Sequence, residues 1–347
     1  MTPLVGLDTN ALVELSHSLG EKPFRGRQIA RWIYRHAAHS FDQMTDLPIS
    51  LRQRLAAEYQ PRSSRVAGTA QAADGTLKLA VRLADGALIE CVHMPSTASG
   101  AATVCVSTQA GCPVGCAFCA TGAGGHQRDL TAGEIVEQVL VAVSEARAGP
   151  VKDLREQSLN VVYMGMGEPF LNYQATIESL ALLRGEVGVG ARAITVSTVG
   201  VPEGIRRFAR DQPQVNLAVS LHAPTDELRR ELIGGTGQAW SVSAVLEAVR
   251  DYLAATNRRV SFEYVLLRDV NDGDAEAGAL AELLRGLLCH VNLIPYNATD
   301  AAFGPPSRAR MEAFKAFLDG AGIPTTIRRS RGQDIAAACG QLRARQV

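Results

Sequence analysis

The stretch from Gly111 to Gly122, GCPVGCAFCATG, decides how the rest of the chain is interpreted. It places Cys112, Cys116 and Cys119 in a Cys-x3-Cys-x2-Cys spacing, which predicts a metal site. A structural zinc site needs four ligands, and the nearest further candidate is His126, which is not at the spacing of a zinc finger. Thiolates are the usual ligands of iron–sulfur clusters, and three of them leave one iron open for a substrate. We therefore expect a cluster loop, with zinc or a disulfide plus a spare thiol as the alternatives.

Composition sets the class of protein. The chain has 347 residues, an apolar fraction of 46%, a charged fraction of 20% and no net charge. No apolar run approaches the ~18 to 20 residues that cross a bilayer, and no basic segment followed by an apolar one opens the chain. The seven cysteines do not suggest a disulfide framework. We expect a cytoplasmic protein without a membrane partner, in which nucleic acid would bind to a local basic surface.

Residues 1–60 are predicted to form a small helical domain that binds RNA. Ile29, Trp32 and Ile33 form an apolar stripe at helical spacing. The other faces of this helix carry arginines, namely Arg25, Arg27, Arg31 and Arg35. These arginines are either a solvated surface or a surface that contacts phosphates, and the sequence leaves both open.

Residues 61–97 are predicted to be a β-meander linker. Asp74-Gly75 and Asp85-Gly86 are hairpin turn signals between segments of alternating polarity, which predict three antiparallel strands. Glu90 lies in the last strand, on the same face as apolar residues. If that face is buried, loss of water makes the carboxylate more basic and suited to acid–base chemistry. From its position alone, a surface glutamate is the simpler interpretation.

Residues 98–347 are predicted to form a βα barrel. The segment STASG, at 96–100, has the composition of a flexible linker. Strands are expected near 101–107, 158–164, 193–197, 215–221, 260–266 and 289–294, with a last strand in TTIRR. Helical patterns separate them, and Thr131 with Glu134 predicts a capping box for the first helix. The predicted fold class is therefore α/β, a partial βα barrel with a helical N-terminal domain and a β-meander linker.

Four polar or glycine-rich segments follow the predicted parallel strands, where α/β proteins bind ligands. They are MGMGEP at 164–169, STVG at 197–200, SLHAP at 220–224 and IPYN at 294–297. Gly165 and Gly167 let the backbone approach a ligand, and Glu168 offers a carboxylate to an amine. One such segment alone is common in turns. Four of them on one edge with a cluster loop predict a ligand site.

These motifs carry a family resemblance. The cysteine loop, with Phe118 before its third cysteine, resembles the radical S-adenosylmethionine superfamily, and MGMGEP resembles that superfamily's amino-acid-binding segment. The segments CVSTQAGC, FCATG, YMGMGEPFLNY, SLHAP and DIAAACGQL resemble the RlmN/Cfr family of RNA adenosine methyltransferases. The similarity extends from about residue 24 to residue 342.

The resemblance implies two cofactors. Cys112, Cys116 and Cys119 would ligate one 4Fe-4S cluster, whose open iron binds S-adenosylmethionine. Two molecules of S-adenosylmethionine would be consumed per turnover. The residues implied to hold this cofactor are Gly167, Glu168, Ser197, Ser220, Leu221, His222 and Asn297.

The resemblance also implies three catalytic residues. Cys339 would be methylated, lose a hydrogen atom and add to the adenine ring, and Glu90 would remove the ring proton. Cys105 would release the product by forming a disulfide with Cys339. Without the resemblance, each of these two cysteines would be interpreted as a small inert side chain.

The implied function is methylation of C2 of an adenosine in 23S ribosomal RNA and in some transfer RNAs. A flavodoxin-type reductant and a monomeric state are expected. The alternatives are a C8 methyltransferase of the Cfr type, an iron–sulfur electron carrier and an RNA-binding accessory protein. Arg328, Arg329 and Arg331 are either contacts to the RNA backbone or surface charge. The loop LIGGTGQAW, at 232–240, departs from the basic segment that is usual in the family.

Overall fold

Strands and helices alternate along most of the chain in the computed structural model, which describes residues 1–96, 100–147, 151–234 and 240–344. The strands are β1 (Thr2–Pro3), β2 (Tyr59–Gln60), β3 (Arg65–Gln71), β4 (Leu77–Arg82), β5 (Leu88–Met94), β6 (Ala102–Cys105), β7 (Gln109–Gly111), β8 (His126–Asp129), β9 (Leu159–Tyr163), β10 (Ile194–Thr198), β11 (Asn216–Ser220), β12 (Val260–Leu266), β13 (Cys289–Pro295) and β14 (Thr325–Ile327). The helices are α1 (Thr9–Ser18), α2 (Pro23–Tyr34), α3 (Ile49–Glu58), α4 (Ala120–Ala123), α5 (Ala132–Glu145), α6 (Tyr173–Leu182), α7 (Pro202–Asp211), α8 (Asp226–Leu232), α9 (Val242–Thr256), α10 (Asp274–Leu284) and α11 (Arg308–Gly320).

A ten-stranded sheet organises the molecule, with the order β14-β13-β12-β11-β10-β9-β6-β5-β4-β3. Strands β6 and β9 to β14 pair in parallel, with helices between most of them. Strands β3 to β6 pair antiparallel. The expected α/β fold with a partial βα barrel is confirmed.

The meander and the barrel share this sheet. Strand β6 pairs antiparallel with β5 on one side and parallel with β9 on the other, so the hydrogen-bonded ladder continues from one part to the other. Residues 97–99 of the expected linker lie outside the described residues. The division into three parts stays a prediction, but β5 and β6 belong to one continuous sheet.

Local signals in the sequence explain where the barrel helices begin. The Thr131 side chain accepts a hydrogen bond from Glu134 N, and the Glu134 carboxylate accepts one from Thr131 N. This is the capping box expected before α5. Helix α7 begins with Pro202 in its first turn, where the missing N–H has no cost. Apolar side chains of α5, including Ile135 and Val139, are completely buried against the sheet. Burial of these helix faces on the sheet forms the main core.

Three contacts hold the N-terminal helices against the rest of the protein. Glu186 accepts hydrogen bonds from both the backbone N and the hydroxyl of Thr9, at 2.9 and 2.6 Å. Leu154 N donates to Arg35 O at 2.9 Å. These contacts cap α1 and fix the end of α2, so the N-terminal helices are bound to the barrel by directed hydrogen bonds.

Two of the four N-terminal arginines are engaged within the domain. Arg31 forms an ion pair with Asp46, and Arg25 donates to the Asp46 carbonyl at 3.0 Å. None of the helices in the described part of the chain is long and apolar enough to cross a membrane.

Candidate active site and cofactor cavity

A cavity of about 260 Å³ opens at the carboxyl ends of the parallel strands. Eleven of the thirteen site residues expected from the sequence line it: Cys105, Cys112, Cys116, Cys119, Gly167, Glu168, Ser197, Ser220, His222, Asn297 and Cys339. Leu221 and Glu90 do not line it. The strand-end segments and the cysteine loop, which are far apart in sequence, therefore meet in one place.

Residues 111–125, the cluster loop, are held by backbone hydrogen bonds. Cys112 N donates to Gly125 O at 2.8 Å, and Ala117 N donates to Leu232 O at 2.9 Å. Cys116 pairs with Ile233 in an isolated antiparallel bridge. A Cβ at Gly111, whose φ is +85°, would lie 1.9 Å from Gly125 O, so glycine is required there. Backbone hydrogen bonds within the loop and to the end of α8 thus hold the cluster loop in place.

The three cysteines suit a cluster better than a single ion. Burial raises the pKa of Cys112 to about 12 and raises the pKa of Cys116 strongly, so neither thiol is anionic without added positive charge. Within the described residues, no three His, Cys, Asp or Glu side chains converge closely enough to share one metal ion. Thiolates that each bind a different iron of a cluster need not converge on one point. The loop supplies three cysteines, which is the number of protein ligands that a 4Fe-4S cluster with one open iron takes, whereas a structural zinc site takes four.

Glu168 lies on the cavity wall as a buried hydrogen-bonded carboxyl group. Its two oxygens accept from Phe170 N, from the Thr198 hydroxyl at 2.7 Å and from Val199 N at 2.6 Å. Burial raises the pKa of Glu168 to about 7, and these three hydrogen bonds oppose the rise. An ammonium group bound in the cavity would favour the charged carboxylate, so the residue suits the amino end of a cofactor.

His222 is fixed as a neutral imidazole. Its Nδ1 accepts a hydrogen bond from Val265 N at 3.0 Å, and its ring meets Phe118 of the cluster loop edge-on at 5.0 Å. Burial lowers the pKa of His222 to about 3, and the nearby Arg229 adds to the effect. Its backbone has a φ of +60°. The histidine therefore positions groups by shape and hydrogen bonding and does not exchange protons near neutral pH.

The remaining expected cofactor residues separate into two groups. The hydroxyls of Ser197 and Ser220 lie 3.4 Å apart on the cavity floor, and Asn297 lines the rim. The side chain of Leu221 is completely buried in the main core, so its expected contact with the cofactor stays a prediction that only its backbone could fulfil. Its backbone N donates to Glu263 O and its carbonyl accepts from Arg229, so its backbone is already engaged.

Residues 328–344, the carrier segment, bring Cys339 to the cavity. The segment is mostly irregular and is held by hydrogen bonds from distant parts of the chain. Asn297 Nδ2 donates to Cys339 O at 3.0 Å, and Ala120 N donates to Gly340 O at 2.8 Å. The Thr121 hydroxyl donates to Leu342 O at 2.5 Å. Cys339 thus faces the same cavity as the three cluster cysteines.

The surface interpretation of Glu90 is wrong, because the residue is 1% exposed. Its Oε2 accepts from Arg343 N at 2.9 Å, and its Oε1 lies 3.4 Å from Lys78 Nζ. The carrier segment covers this face of the meander, which is why both faces of the strand are buried. The carboxylate therefore lies beneath the segment that carries Cys339.

Cys105 is a buried free thiol on the cavity wall. Burial raises the pKa of Cys105 to about 12, the neighbouring Cys339 thiol adds to the rise, and the Arg328 guanidinium opposes it. Cys339 is also a free thiol in this structure. Cys105, Cys339 and Arg328 thus form one electrostatically coupled group.

The three arginines at the start of the carrier segment have different surroundings. Arg328 faces the cavity, with its Nη1 3.9 Å from Glu263 Oε2. Arg331 donates to Pro95 O at 2.9 Å. Arg329 is exposed at the rim. Of these three arginines, only Arg329 is exposed.

Sequence reasoning missed three charged side chains at the site. Lys78 faces Glu90 diagonally across β4 and β5, and the turn at Asp85-Gly86 gives this register. Glu263 had no signal beyond its place in a strand. Arg229 resembles any helix arginine in the sequence, yet it is completely buried. The segment at 232–240, which departs from the family pattern, lies mostly outside the described residues.

Comparisons with known proteins identify the family of the chain. Residues 2–60 match the family profile described as the ribosomal RNA large subunit methyltransferase N-terminal domain, and residues 106–280 match the radical SAM superfamily. A probable dual-specificity RNA methyltransferase RlmN of Gloeobacter violaceus is 45% identical, over 100% of this chain and 96% of that protein. A protein of the same description from Thermus thermophilus is 45% identical, over 94% of this chain and 91% of that protein.

One solved structure is similar over the whole chain. It is a radical SAM methyltransferase from Sphaerobacter thermophilus, with 48% sequence identity and a TM-score of 0.93. The alignment covers 99% of this chain and 100% of that one. The resemblance therefore includes the N-terminal helices and the meander as well as the barrel.

Proposed function

We propose that this chain, which belongs to the RlmN family of radical SAM RNA methyltransferases, methylates C2 of an adenosine in RNA. One observation carries the proposal: Cys339 lines the same cavity as the three cysteines of the cluster loop. An iron–sulfur electron carrier would not need a further cysteine in the cavity beside its cluster ligands. An RNA-binding accessory protein has no use for the cluster loop.

The cofactors follow from the superfamily and from the donor set. Members of the radical SAM superfamily use a 4Fe-4S cluster and S-adenosylmethionine, which when bound supply a methyl group and a 5′-deoxyadenosyl radical. Cys112, Cys116 and Cys119 would hold the cluster. The cofactor's amino end would meet Glu168, and the serine hydroxyls of the cavity floor would meet its polar groups.

Cys339 would carry the methyl group. Its sulfur takes the methyl group from one S-adenosylmethionine, and a second molecule accounts for the hydrogen atom that this methyl group loses. The carbon radical on sulfur would then add to C2 of the adenine, and the adduct radical would give up one electron, which would return to the cluster. Glu90 would remove the proton from C2, a role that its burial and its position beneath the carrier segment support.

Cys105 would release the product. Its sulfur attacks the sulfur of Cys339, a disulfide forms and the bond from Cys339 to the methylene carbon breaks. The adenine fragment keeps the electron pair of that bond and takes up a proton, so a methyl group remains on the RNA. The electrostatic coupling between the two thiols and the opposing effect of Arg328 on the pKa of Cys105 support this pairing.

The substrates are proposed from the family. The relatives are described as dual-specificity RNA methyltransferases, and we propose 23S ribosomal RNA and some transfer RNAs as the substrates. A flavodoxin-type protein would supply electrons, and the enzyme would act as a monomer in the cytoplasm. Methylation at C8 is the second candidate, because the C8 branch of the family has nearly the same site residues.

The decisive experiment is an anaerobic assay with reconstituted protein. Iron, sulfide, reductant, S-adenosylmethionine and a ribosomal RNA fragment are supplied, and mass spectrometry analyses the nucleosides and the peptide that contains Cys339. We expect 2-methyladenosine, 5′-deoxyadenosine and a methylated Cys339. Recovery of 8-methyladenosine would assign the protein to the C8 branch, and an unmethylated Cys339 with no 5′-deoxyadenosine would overturn the mechanism.

A second experiment tests the release step. Cys105→Ala should still accumulate methylated Cys339 but trap a covalent protein–RNA adduct, visible as a shifted band in denaturing electrophoresis. Cys289→Ala is the matched control, because Cys289 is buried on β13 and does not line the cavity. Multiple turnovers by Cys105→Ala would contradict the role of the thiol.

A further inference from the structure

Arg229 is a buried cation that the proposed reaction leaves without a role. Its side chain belongs to α8 and the residue is 0% exposed. All its recorded hydrogen-bond acceptors are backbone carbonyls. They are Leu221 O at 2.5 Å, Trp240 O at 3.2 Å, Ser220 O at 3.3 Å and Val199 O. The hydrogen-bonding capacity of the guanidinium is used, but no acceptor carries a formal charge.

The charge of Arg229 therefore lacks a carboxylate partner. Among the described residues, no carboxylate oxygen forms an ion pair or a hydrogen bond with it. The ionisable groups that act most strongly on its charge are, in decreasing order, the Cys116 thiol, Asp226 and Glu168. A buried charge without a counter-charge is strongly unfavourable, so something anionic is expected next to it in the working protein.

The position of Arg229 shows where that anion would lie. Its carbonyl partners Val199 and Ser220 lie at the carboxyl ends of β10 and β11, on the cavity floor. The other end of α8 holds the cluster loop, through the Cys116–Ile233 bridge and the bond from Ala117 N to Leu232 O. The guanidinium thus lies between the cluster loop and the strand ends of the cofactor cavity.

We infer that Arg229 is the fixed counter-charge of the iron–sulfur cluster and raises the reduction potential of the cluster. This inference rests on the proposed cluster site but not on RNA methylation. Arg229 is a positioning and tuning residue, because it acts through its charge and through the loops that it holds. The three thiolates that would ligate the cluster would supply the negative charge that its position calls for.

The charge of the cluster before and after reduction determines whether Arg229 raises or lowers the reduction potential. The oxidised cluster with three thiolate ligands is already an anion, and one electron from a reductant makes it more negative. A fixed positive charge in a poorly hydrated site favours the more negative state. Removal of the charge therefore makes reduction harder.

The test measures the reduction potential of the cluster in Arg229→Gln, without S-adenosylmethionine or RNA. Glutamine keeps donors for the carbonyls and removes the charge. The potential is followed by electron paramagnetic resonance during a redox titration with dithionite, together with iron and sulfide content. We expect the equilibrium constant for reduction to fall about tenfold, a shift of about 59 mV to more negative potential for a one-electron couple.

The matched control is Arg230→Gln on the same helix. Arg230 is the next residue, its side chain is 66% exposed, and it pairs with Glu227 at 3.5 Å. The control should keep the wild-type potential, because solvent screens its charge. A fully loaded Arg229→Gln protein with the wild-type potential would overturn the inference.

Arg229→Lys decides the outcome if Arg229→Gln does not fold or does not hold the cluster. Lysine keeps the charge but not the planar arrangement of donors. A folded lysine variant with a full cluster supports the inference, because the charge alone then restores the site. A lysine variant that is unfolded or lacks the cluster overturns it, because the hydrogen bonds would then be what the site needs. If the proposed RNA substrate were wrong, all these reduction potentials would be unchanged. Failure of the proposed function can therefore be distinguished from failure of this inference.

Discussion

The cluster loop and the carrier segment face each other across one cavity but are held in different ways. The backbone of the cluster loop is closed on itself by the bond from Cys112 N to Gly125 O, and it is paired to the residues that end α8. The carrier segment is mostly irregular, and side chains such as Asn297 and Thr121 reach across to its carbonyls. One side of the cavity is therefore part of the fold, whereas the other is docked onto it.

Substitutions on the two sides of the cavity should therefore impair the reaction in two different ways. Changes on the side of the cluster loop should affect whether the cofactors bind and whether the radical forms. Changes that touch the carrier segment should leave the cofactors in place and affect where the methyl group goes. Each prediction below tests this separation, in order of decreasing effect.

Cys116→Ala and Cys339→Ala should both reduce RNA methylation to background, for different reasons. Cys116→Ala removes a cluster ligand, so bound iron and 5′-deoxyadenosine should be lost as well. Cys339→Ala removes only the carrier, so iron content should equal that of the wild type. Iron analysis and nucleoside mass spectrometry of both variants measure this. Methylated RNA produced by Cys339→Ala would contradict both the role of Cys339 and the proposed difference between the two sides of the cavity.

Glu90→Gln should lower the methylation rate about 10² to 10⁴-fold, the range for loss of a general base. The amide keeps an oxygen to accept from Arg343 N, so the carrier segment should stay docked. Bound iron should not change. Glu137→Gln is the control, because Glu137 is also 1% exposed but binds Ser64 N, away from the cavity. Equal rate losses in the two variants would assign Glu90 a structural role only.

His222→Asn should change the acid stability of the apoprotein. The unfolded histidine binds a proton below its ordinary pKa of 6.5, whereas the folded one does so only near a pKa of about 3. The wild type therefore loses stability relative to the variant as pH falls below 6.5, by up to about 1.4 kcal/mol per pH unit. Asparagine tolerates the positive φ at this position.

Urea unfolding of wild type and His222→Asn at pH 7.5 and pH 5 measures this difference. Loss of the ring contacts lowers the free energy of unfolding of the variant by the same amount at both pH values. Between pH 7.5 and pH 5 the free energy of unfolding should fall further in the wild type than in the variant, because only the wild type must keep this histidine neutral. Parallel pH profiles would show that His222 is not held neutral, and the cluster side would then be less rigid than described.

Thr121→Val should have the smallest effect, about 1 kcal/mol in the free energy of unfolding, because one hydroxyl-to-carbonyl bond is lost. Thr121 ties the cluster loop to the carrier segment, so the rate of Cys339 methylation should also fall while bound iron stays constant. Thr256→Val removes a comparable bond to Tyr252 O within α9 and should change stability alone. Identical rates in the two variants would show that this tie does not position Cys339.

The sequence predicted those features that depend on local pattern. The capping box at Thr131, the strand-end segments and the cysteine spacing are each readable within a few residues. Their meeting in one cavity follows from the rule that parallel strands present their carboxyl ends together. The residue roles came from the family resemblance, and they stay proposals.

The features that the sequence did not predict depend on contacts between distant segments. Glu90 is buried because the carrier segment, some 250 residues later in the chain, covers it. Leu221 belongs to a segment whose neighbouring residues line the cavity, yet its side chain is buried in the core. Arg229 is followed by a second arginine in the same helix, and only the packing of α8 decides which one is buried. Such tertiary burial leaves no periodic signal.

The continuous hydrogen-bonded ladder from β5 to β6 means that the meander and the barrel cannot be separated without breaking a strand pair. Glu90 lies on β5 and Cys105 on β6, with Val92 directly opposite Cys105, so the proposed base and the proposed release thiol are a few ångströms of sheet apart. A barrel cut free at residue 98 would lose one and expose the unpaired edge of the strand that bears the other. The meander is therefore not a detachable connector. Removal of the meander would take away the proposed base and leave the strand that bears the proposed release thiol without its antiparallel partner.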